Sequence, residues 1–191
     1  LGFDMIAIDW RGQGLSERLI KDPMVGHVRD FSEYQRDLDA VLDFADARNF
    51  PKPWYILAHS MGGAIGLRAL QRDLGFKSVA FTGPMWGILV PALLSPFRKI
   101  IAKLGISFGF GDRYPPTTSD QSYTVVSDFQ DNTLTPDKEM WDYMKQQVVQ
   151  HPDLQLAGPS FLWADAAFRE IETLHKLPAP NIPALCYLGD E

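Results

Sequence analysis

The chain has 191 residues, of which 46% are hydrophobic, so it can form one globular domain with a substantial core but not two ordinary domains. Its net charge of -6 is spread along the sequence without a cluster of lysine and arginine, which excludes nucleic acid as a partner. The single cysteine, Cys186, excludes disulfides within the chain and cysteine-based metal sites, and its apolar surroundings predict a buried side chain. No apolar run reaches the roughly 18 to 20 residues that span a bilayer, so we expect a soluble or at most membrane-associated protein.

The first part of the sequence alternates predicted strands with predicted helices. Ser32 is the predicted N-cap of the first helix, and Gly75 is the predicted C-cap of the second. Dense alternation of this kind is typical of parallel βαβ units, so the predicted fold class is α/β with a mostly parallel sheet. The elements are strands at residues 3–8, 54–58 and 79–82 and helices at residues 32–48 and 61–74.

The pattern changes after residue 83 and predicts an insertion. Residues 85–110 are apolar with few charges, and residues 111–131 are polar and irregular. Helices are predicted at residues 134–150 and 160–177, and residues 184–188 predict a returning buried strand.

Three residues mark the beginnings of the helices in this insertion. Thr135 is the predicted N-cap of the first, with Pro136 at the first helical position, and Ser160 is the predicted cap of the second. We therefore predict one partial domain, with a core at residues 1–83 and 180–191 and a helical lid at residues 84–179. Because the sequence begins inside one predicted element and stops just after another, both ends look cut.

The clearest chemical motif is a single serine, Ser60, between a strand and a helix with almost no loop. Small residues stand two positions before and after it, Ala58 and Gly62, and neighbouring backbone is expected to pass close to both. This pattern is typical of a nucleophile elbow. The backbone N–H of Met61 would then lie at the positive end of the helix as an oxyanion donor. The alternative is that Ser60 merely caps an ordinary helix.

At these motifs the sequence resembles the serine α/β-hydrolases of the lysophospholipase and monoacylglycerol lipase type, within the serine aminopeptidase S33 group. The resemblance is strongest to the bacterial lysophospholipase L2 group. It implies an α/β-hydrolase fold with a helical lid, truncated at both ends. Four stretches carry it: residues 9–16, the elbow around Ser60, residues 83–88, and the lid segment from residues 134–135 to residues 158–160 with Trp163.

A serine hydrolase also needs a base, and in this fold the histidine follows the serine and the acid in sequence. His59 adjoins the nucleophile but points away from its hydroxyl, and His27 precedes it. His151 and His175 lie in the insertion and are predicted surface residues. The general base is therefore expected outside the 191 residues.

The resemblance places the acid three residues beyond the glycine that corresponds to Gly189, which would be the residue after Glu191. Asp190 is retained as a secondary candidate. The second oxyanion donor would precede Leu1. The chain is thus predicted to hold the nucleophile, one oxyanion donor and the lid.

Two further stretches bear on the site. The loop at residues 9–16 is predicted to be supportive, with an Asp/Arg pair tying it to the elbow. Apolar residues between residues 84 and 110 could cover the site with a surface suited to acyl chains, although ordinary helix packing explains them equally well. Tyr123, Asp128 and Asn132 could contact a head group.

The resemblance implies hydrolysis of carboxylic esters, lysophospholipids or monoacylglycerols, through an acyl-serine intermediate. A peptidase of the same fold, such as a prolyl aminopeptidase, and a non-catalytic binding domain remain as alternatives. No metal or organic cofactor is implied. The expected partner is a lipid or other small-molecule ester in the cytoplasm, with transient contact with a membrane surface and the oligomeric state left open. The isolated chain is expected to be inactive.

Overall fold

The structure is a computed structural model that describes residues 2–90, 93, 95–116 and 118–189. It divides into two compact units. The first contains the described parts of Leu1–Ile6, Asp30–Lys99 and Ala166–Glu191, and the second contains Ala7–Arg29 and the described parts of Ile100–Asp165. The division into a core and a lid stays a prediction.

A parallel sheet forms the centre of the first unit. Its strands are β1 (Tyr55–His59), β2 (Ser78–Thr82) and β3 (Ala184–Tyr187), and they pair in that order. Strand β2 pairs with both neighbours in parallel. The strands predicted at residues 54–58, 79–82 and 184–188 and the α/β class are thereby confirmed.

Two helices of the first unit adjoin β1 in sequence. Helix α1 (Ser32–Ala47) precedes the strand, and helix α2 (Met61–Ala69) follows it. Helix α2 packs on one face of the sheet, where Ala58, Val79 and Phe81 form a buried cluster with Leu67 of the helix against it. The helix lies close to the strand at Gly66, where an added Cβ would be 3.4 Å from the Cβ of Ala58. Apolar burial between α2 and the strands therefore fixes the position of the turn that joins them.

The opposite face of the sheet is open to solvent in the described structure. Leu57 is 70% exposed, Leu185 is 61% exposed, and Tyr55 and Tyr187 are also exposed. On the α2 side of the sheet, Cys186 pairs with Phe81 and is exposed too, so the prediction of a buried cysteine on a buried strand is wrong. The physical reason is that β3 is an edge strand and no described residue covers it.

The strand predicted at residues 3–8 is also absent from the described structure. The run has the apolar composition of a strand, but no described segment offers it a ladder of backbone hydrogen bonds. Phe3 instead contacts the ring of Tyr55 edge to face, with 5.9 Å between the ring centroids. Apolar composition alone did not supply the pairing partner that a strand requires.

The second unit is largely helical. Trp141 is buried, and its ring packs edge to face against Tyr123 with 6.2 Å between the ring centroids. The helices are α3 (Arg98–Ser107, in this unit from Ile100), α4 (Tyr123–Val126), α5 (Lys138–Gln150) and the first turn of α6 (Phe161–Leu174). None of the described helices is long and apolar enough to cross a membrane.

The N-caps of two helices differ from the hydroxyl caps that were predicted. The N-cap of α1 is Phe31, which makes no side-chain cap hydrogen bond, so the prediction of Ser32 as the cap is wrong. Ser32 is the first residue of the helix, and its N–H donates to the Asp30 carboxylate at 2.9 Å. Asp137, not Thr135, caps α5 and accepts from the N–H groups of its first turn. At α5 a nearby carboxylate, which accepts more strongly than a hydroxyl, is the cap in place of the predicted hydroxyl.

The other two cap predictions had opposite outcomes. Helix α2 ends at Ala69 with Leu70 as its C-cap, so the prediction that it runs on to Gly75 is wrong. The chain leaves the helix through tight bonds such as Arg72 N–H to the Ala69 carbonyl, 2.9 Å. The predicted cap at Ser160 is confirmed, because its hydroxyl accepts from the Trp163 N–H at 3.1 Å.

A buried carboxylate on α6 gives the first testable prediction. Glu170 is 7% exposed, and its carboxylate lies 3.3 Å from the Arg68 guanidinium of α2. Burial raises the pKa of Glu170 above its ordinary value of 4.5, and the Arg68 charge opposes that rise. A raised pKa means that the folded protein binds the Glu170 proton more tightly than the unfolded chain does, so protonation of Glu170 stabilises the fold. That stabilisation is fully present below pH 4.5 and is lost as the pH rises through the raised pKa.

We therefore expect the free energy of unfolding of the wild type, relative to Glu170→Gln, to fall as the pH rises from 4.5 towards neutrality. Urea denaturation of both proteins over this pH range measures the difference. Glu139→Gln, on an exposed side chain of α5, is the matched control and should run parallel to the wild type. Parallel curves for Glu170→Gln and the wild type would contradict the prediction.

Candidate active site

Ser60 occupies a strained backbone turn between β1 and α2. Its φ of 49° and ψ of -121° lie in a region that side-chain-bearing residues rarely adopt, and α2 begins at the next residue. The side chain is exposed and makes no capping hydrogen bond to the helix. The alternative interpretation of Ser60 as an ordinary N-cap is therefore contradicted.

Backbone hydrogen bonds hold this turn from both sides. The Ser60 carbonyl accepts from the N–H of Gly63 and from the N–H of Met85, each at 2.8 Å. The Ser60 N–H donates to the Thr82 carbonyl on β2 at 3.2 Å. Because both backbone polar groups are engaged, the turn is fixed while the hydroxyl is left exposed.

The segment after β2 forms the support for the elbow. Pro84 lies against Gly63, and Trp86 donates from its Nε1 to the Gly63 carbonyl at 3.3 Å. The Trp86 ring also packs against Phe81 with 5.1 Å between the ring centroids. In the sequence this segment was noticed through a resemblance alone, because no local pattern links it to Ser60.

The reason for the small residues near Ser60 differs from the one predicted. A Cβ added at Gly62 would meet no described atom within 4 Å, so none of the described backbone passes close to it. At Gly63, by contrast, an added Cβ would lie 2.5 Å from the Pro84 Cβ and 2.8 Å from its Cα. Ala58 is buried in the cluster beneath α2. The close approach is therefore at Gly63.

Both histidines of the first unit have one ring nitrogen engaged by a backbone carbonyl. His59 Nδ1 lies 2.9 Å from the Thr82 carbonyl and 3.0 Å from the Thr82 hydroxyl, so its ring turns towards β2. His175 is exposed, and its Nε2 lies 2.8 Å from the Trp86 carbonyl. The Ser60 hydroxyl makes no hydrogen bond to any residue that the structure describes.

The other candidate groups lie elsewhere. In the second unit His27 is buried, with its Nδ1 2.9 Å from the Ser160 hydroxyl, and His151 is exposed at the end of α5. The surface positions predicted for His151 and His175 are thus confirmed. Asp190 lies outside the described residues.

The loop at residues 9–16 is stabilised by its own aspartate. The Asp9 carboxylate accepts from the Leu15 N–H at 2.9 Å, and the Ser16 hydroxyl donates to the Asp9 carbonyl at 2.6 Å. Gly14 permits the turn with a φ of 52°, and a Cβ there would overlap the carboxylate at 2.3 Å. These contacts agree with a supportive role, and the tie to the elbow stays a prediction.

Tyr123 and Asn132, which were predicted to contact a head group, form hydrogen bonds within their own loop. The Tyr123 hydroxyl accepts from the Thr133 N–H at 3.0 Å. The Asn132 side chain donates to the Phe129 carbonyl at 2.7 Å and accepts from the N–H groups of the two residues at positions 134 and 135. A head-group role for Tyr123 and Asn132, and for the exposed Asp128, stays a prediction without support from these contacts.

Comparison with known proteins identifies the family of the chain. A family model described as "Serine aminopeptidase, S33" matches residues 1–176. The chain belongs to this family. Its sheet, elbow and flanking helices have the α/β-hydrolase fold of that family.

Curated relatives extend the comparison. Lysophospholipase L2 of Escherichia coli (strain K12) is 37% identical over 167 residues, which cover 85% of this chain and 47% of the relative. A probable lysophospholipase L2 of Haemophilus influenzae is 30% identical over 187 residues, covering 96% of this chain and 57% of the relative. The chain thus spans about half the length of these relatives.

Solved structures share the fold. The monoacylglycerol lipase of Paleococcus ferrophilus superposes with a TM-score of 0.60 and 20% identity, covering 93% of this chain and 58% of the lipase. A soluble variant of monoglyceride lipase from Saccharomyces cerevisiae gives a TM-score of 0.53 and 18% identity, covering 95% of this chain and 67% of that chain. At these identities the likeness supports the fold alone.

The two adjacent glycines of α2 give a matched test of the elbow's support. Gly63→Ala should lower the free energy of unfolding by about 1–3 kcal/mol, because its Cβ would collide with Pro84. Gly62→Ala should leave stability unchanged or raise it by up to about 1 kcal/mol, since alanine favours a helix and the space is open. Urea denaturation of the two variants measures the difference, and equal losses would contradict this geometry.

Proposed function

We propose that Ser60 is the nucleophile of a carboxylic ester hydrolase that acts on lipid esters. The observation that carries the proposal is an exposed serine in a strained turn at the carboxyl end of a parallel strand, in a chain of the S33 family. Open α/β sheets bind ligands at this end of their strands. A hydroxyl released from capping and from neighbouring side chains is available to attack a carbonyl carbon.

The proposed reaction has two steps. The Ser60 oxygen forms a bond to the ester carbonyl carbon, a base takes the hydroxyl proton, and the carbonyl oxygen becomes an oxyanion. The backbone N–H of Met61, the first residue of α2, is proposed to stabilise that oxyanion at the positive end of the helix. The alcohol then leaves with the proton, and water hydrolyses the acyl-serine in the second step.

The base is proposed to be a histidine outside the 191 residues. Of the two histidines in the first unit, His59 directs Nδ1 to Thr82 and His175 directs Nε2 to Trp86. Both therefore have a local structural partner. The greater length of the curated relatives leaves room for a further histidine.

The substrate is proposed to be a lysophospholipid or a monoacylglycerol. The names of the curated relatives, lysophospholipase L2 in both cases, support the ester class. Exposed apolar side chains in the segment after β2, namely Leu89, Leu93 and Phe97, support a substrate with an acyl chain and contact with lipid.

Substitution of the nucleophile is the first test. Ser60→Ala should abolish labelling by a fluorophosphonate probe and lower ester turnover by about 10⁴-fold or more, because the covalent step is lost. Ser107→Ala removes an exposed hydroxyl at the end of α3 and is the control. Intact mass of the naturally expressed protein reports both labelling and length.

Full labelling and turnover in Ser60→Ala would overturn the proposal and favour a non-catalytic binding domain. His59→Gln should retain labelling to within a few-fold, because its ring serves Thr82 rather than the nucleophile. A loss in His59→Gln as large as that in Ser60→Ala would identify His59 as the base instead.

The family description favours one rival, a peptidase, and substrate comparison distinguishes it. We expect measurable kcat/KM with a lysophospholipid or monoacylglycerol and at least about 100-fold less with aminoacyl or prolyl p-nitroanilides, since an ester is the less stable bond and carries the acyl chain. Steady-state kinetics with both substrate classes makes the comparison. The opposite order would establish the aminopeptidase.

A further inference from the structure

Residues 83–86, which follow β2, are held at both ends by parts of the first unit outside the elbow. The Gly83 N–H donates to the Tyr187 carbonyl, at the end of β3, at 2.8 Å. At the other end, His175 Nε2 lies 2.8 Å from the Trp86 carbonyl. A carbonyl can only accept a hydrogen bond, so the imidazole donates from Nε2. The segment is therefore anchored to β3 and to the residue that follows α6.

The same segment contacts the elbow at three points. The Met85 N–H donates to the Ser60 carbonyl at 2.8 Å, and Trp86 Nε1 donates to the Gly63 carbonyl at 3.3 Å. The third point is the close approach of Pro84 to Gly63. The position of the segment therefore decides all three contacts with the turn and with the first residues of α2.

Trp86 takes part in both sets of contacts. Its backbone carbonyl accepts from His175, and its indole N–H donates to Gly63. The half-buried ring packs against the cluster beneath α2, with 5.1 Å between its centroid and that of Phe81. Because the ring and the backbone of Trp86 are both held, its N–H has little freedom to turn away from the Gly63 carbonyl.

Helix α6 is also joined directly to α2, which makes the arrangement a closed one. The Glu170 carboxylate of α6 lies 3.3 Å from the Arg68 guanidinium of α2. The second connection between these helices runs from His175, just after α6, through Trp86 to Gly63 in the first turn of α2. A change in the position of α6 would therefore be transmitted to the turn that carries Ser60.

We propose that Trp86 is a positioning residue for the hydrolytic reaction and that His175 acts through it. Trp86 fixes the first turn of α2, and with it the direction of the Ser60 hydroxyl and of the Met61 N–H that is proposed to donate to the oxyanion. A displacement of about 1 Å at reacting groups can lower a rate about a hundredfold. The inference rests on the proposed role of Ser60 as the nucleophile.

Kinetics of Trp86→Phe in the naturally expressed protein tests the role of the indole N–H. The variant keeps an aromatic ring beside Phe81 and removes the donor to Gly63. We expect kcat for a lipid ester to fall about tenfold or more while KM stays within about twofold, because the geometry of attack changes and the binding of substrate does not. The rate constant of labelling by a fluorophosphonate should fall by a similar factor, since labelling uses the same hydroxyl.

Trp54→Phe is the matched control for the loss of ring atoms. The Trp54 indole N–H is buried and has no hydrogen-bond partner among the residues that the structure describes. This variant should keep kcat and the labelling rate within about twofold of the wild type, whatever its Tm. An equal fall of kcat in Trp54→Phe and Trp86→Phe would overturn the proposal, because it would trace the loss to packing alone.

Rescue by a conservative variant tests the part of His175. His175→Ala should lower kcat by about threefold to tenfold, whereas His175→Gln should stay within about twofold of the wild type because its amide supplies an N–H donor. His151→Ala removes another exposed histidine, in the second unit, and should have wild-type kinetics. The double variant Trp86→Phe/His175→Ala should be no more than about twofold slower than Trp86→Phe, because both changes affect the same contact.

The remaining outcomes separate this inference from the proposed nucleophile. A wild-type kcat in Trp86→Phe, with or without a lower Tm, would overturn the positioning role even if Ser60→Ala is unlabelled and inactive. Equal kcat in His175→Ala and His175→Gln, or losses that multiply in the double variant, would overturn the action of His175 through Trp86. Labelling of Ser60→Ala would instead contradict the nucleophile itself, so the two failures are seen in different variants.

Discussion

The backbone turn at Ser60 is the constraint on which the rest of the candidate site depends. A positive φ of 49° at a non-glycine residue costs on the order of 1–3 kcal/mol, so the surrounding structure must hold it. The Ser60 carbonyl is held by two N–H donors, Gly63 and Met85, and the Ser60 N–H by Thr82 of β2. A relaxed turn would let the serine cap α2, and its hydroxyl would then be unavailable for attack.

This constraint explains why residues 84–86, which follow β2, support the turn at Ser60 although they are more than 20 residues away in sequence. Met85 supplies a hydrogen bond, Pro84 fills the space above Gly63, and Trp86 satisfies the Gly63 carbonyl. Trp86 is itself fixed by its contact with Phe81 in the cluster under α2. Core packing and turn geometry are therefore linked through one aromatic side chain.

The sequence predicted the elements that local patterns determine and missed those that need a distant partner. Strands β1 and β2 follow from apolar runs in the sequence and were found where expected, and a strained turn lies at Ser60 between β1 and α2. The strand predicted at residues 3–8 is absent because apolar composition does not show whether a neighbouring strand is there to pair with. Asp137 rather than Thr135 caps α5 because a carboxylate is a stronger hydrogen-bond acceptor than a hydroxyl.

The contacts of His59 and His175 bear on whether either histidine could be the general base for Ser60. Catalysis by a serine requires an imidazole with one nitrogen facing the hydroxyl and the other held by an orienting group. His59 has an orienting partner in Thr82, but it lies on the strand directly before Ser60, where successive side chains point to opposite faces. His175 is held through Nε2 by Trp86, a residue that already supports the elbow. Each ring thus contacts the segment that positions Ser60, which fits a structural role for both histidines.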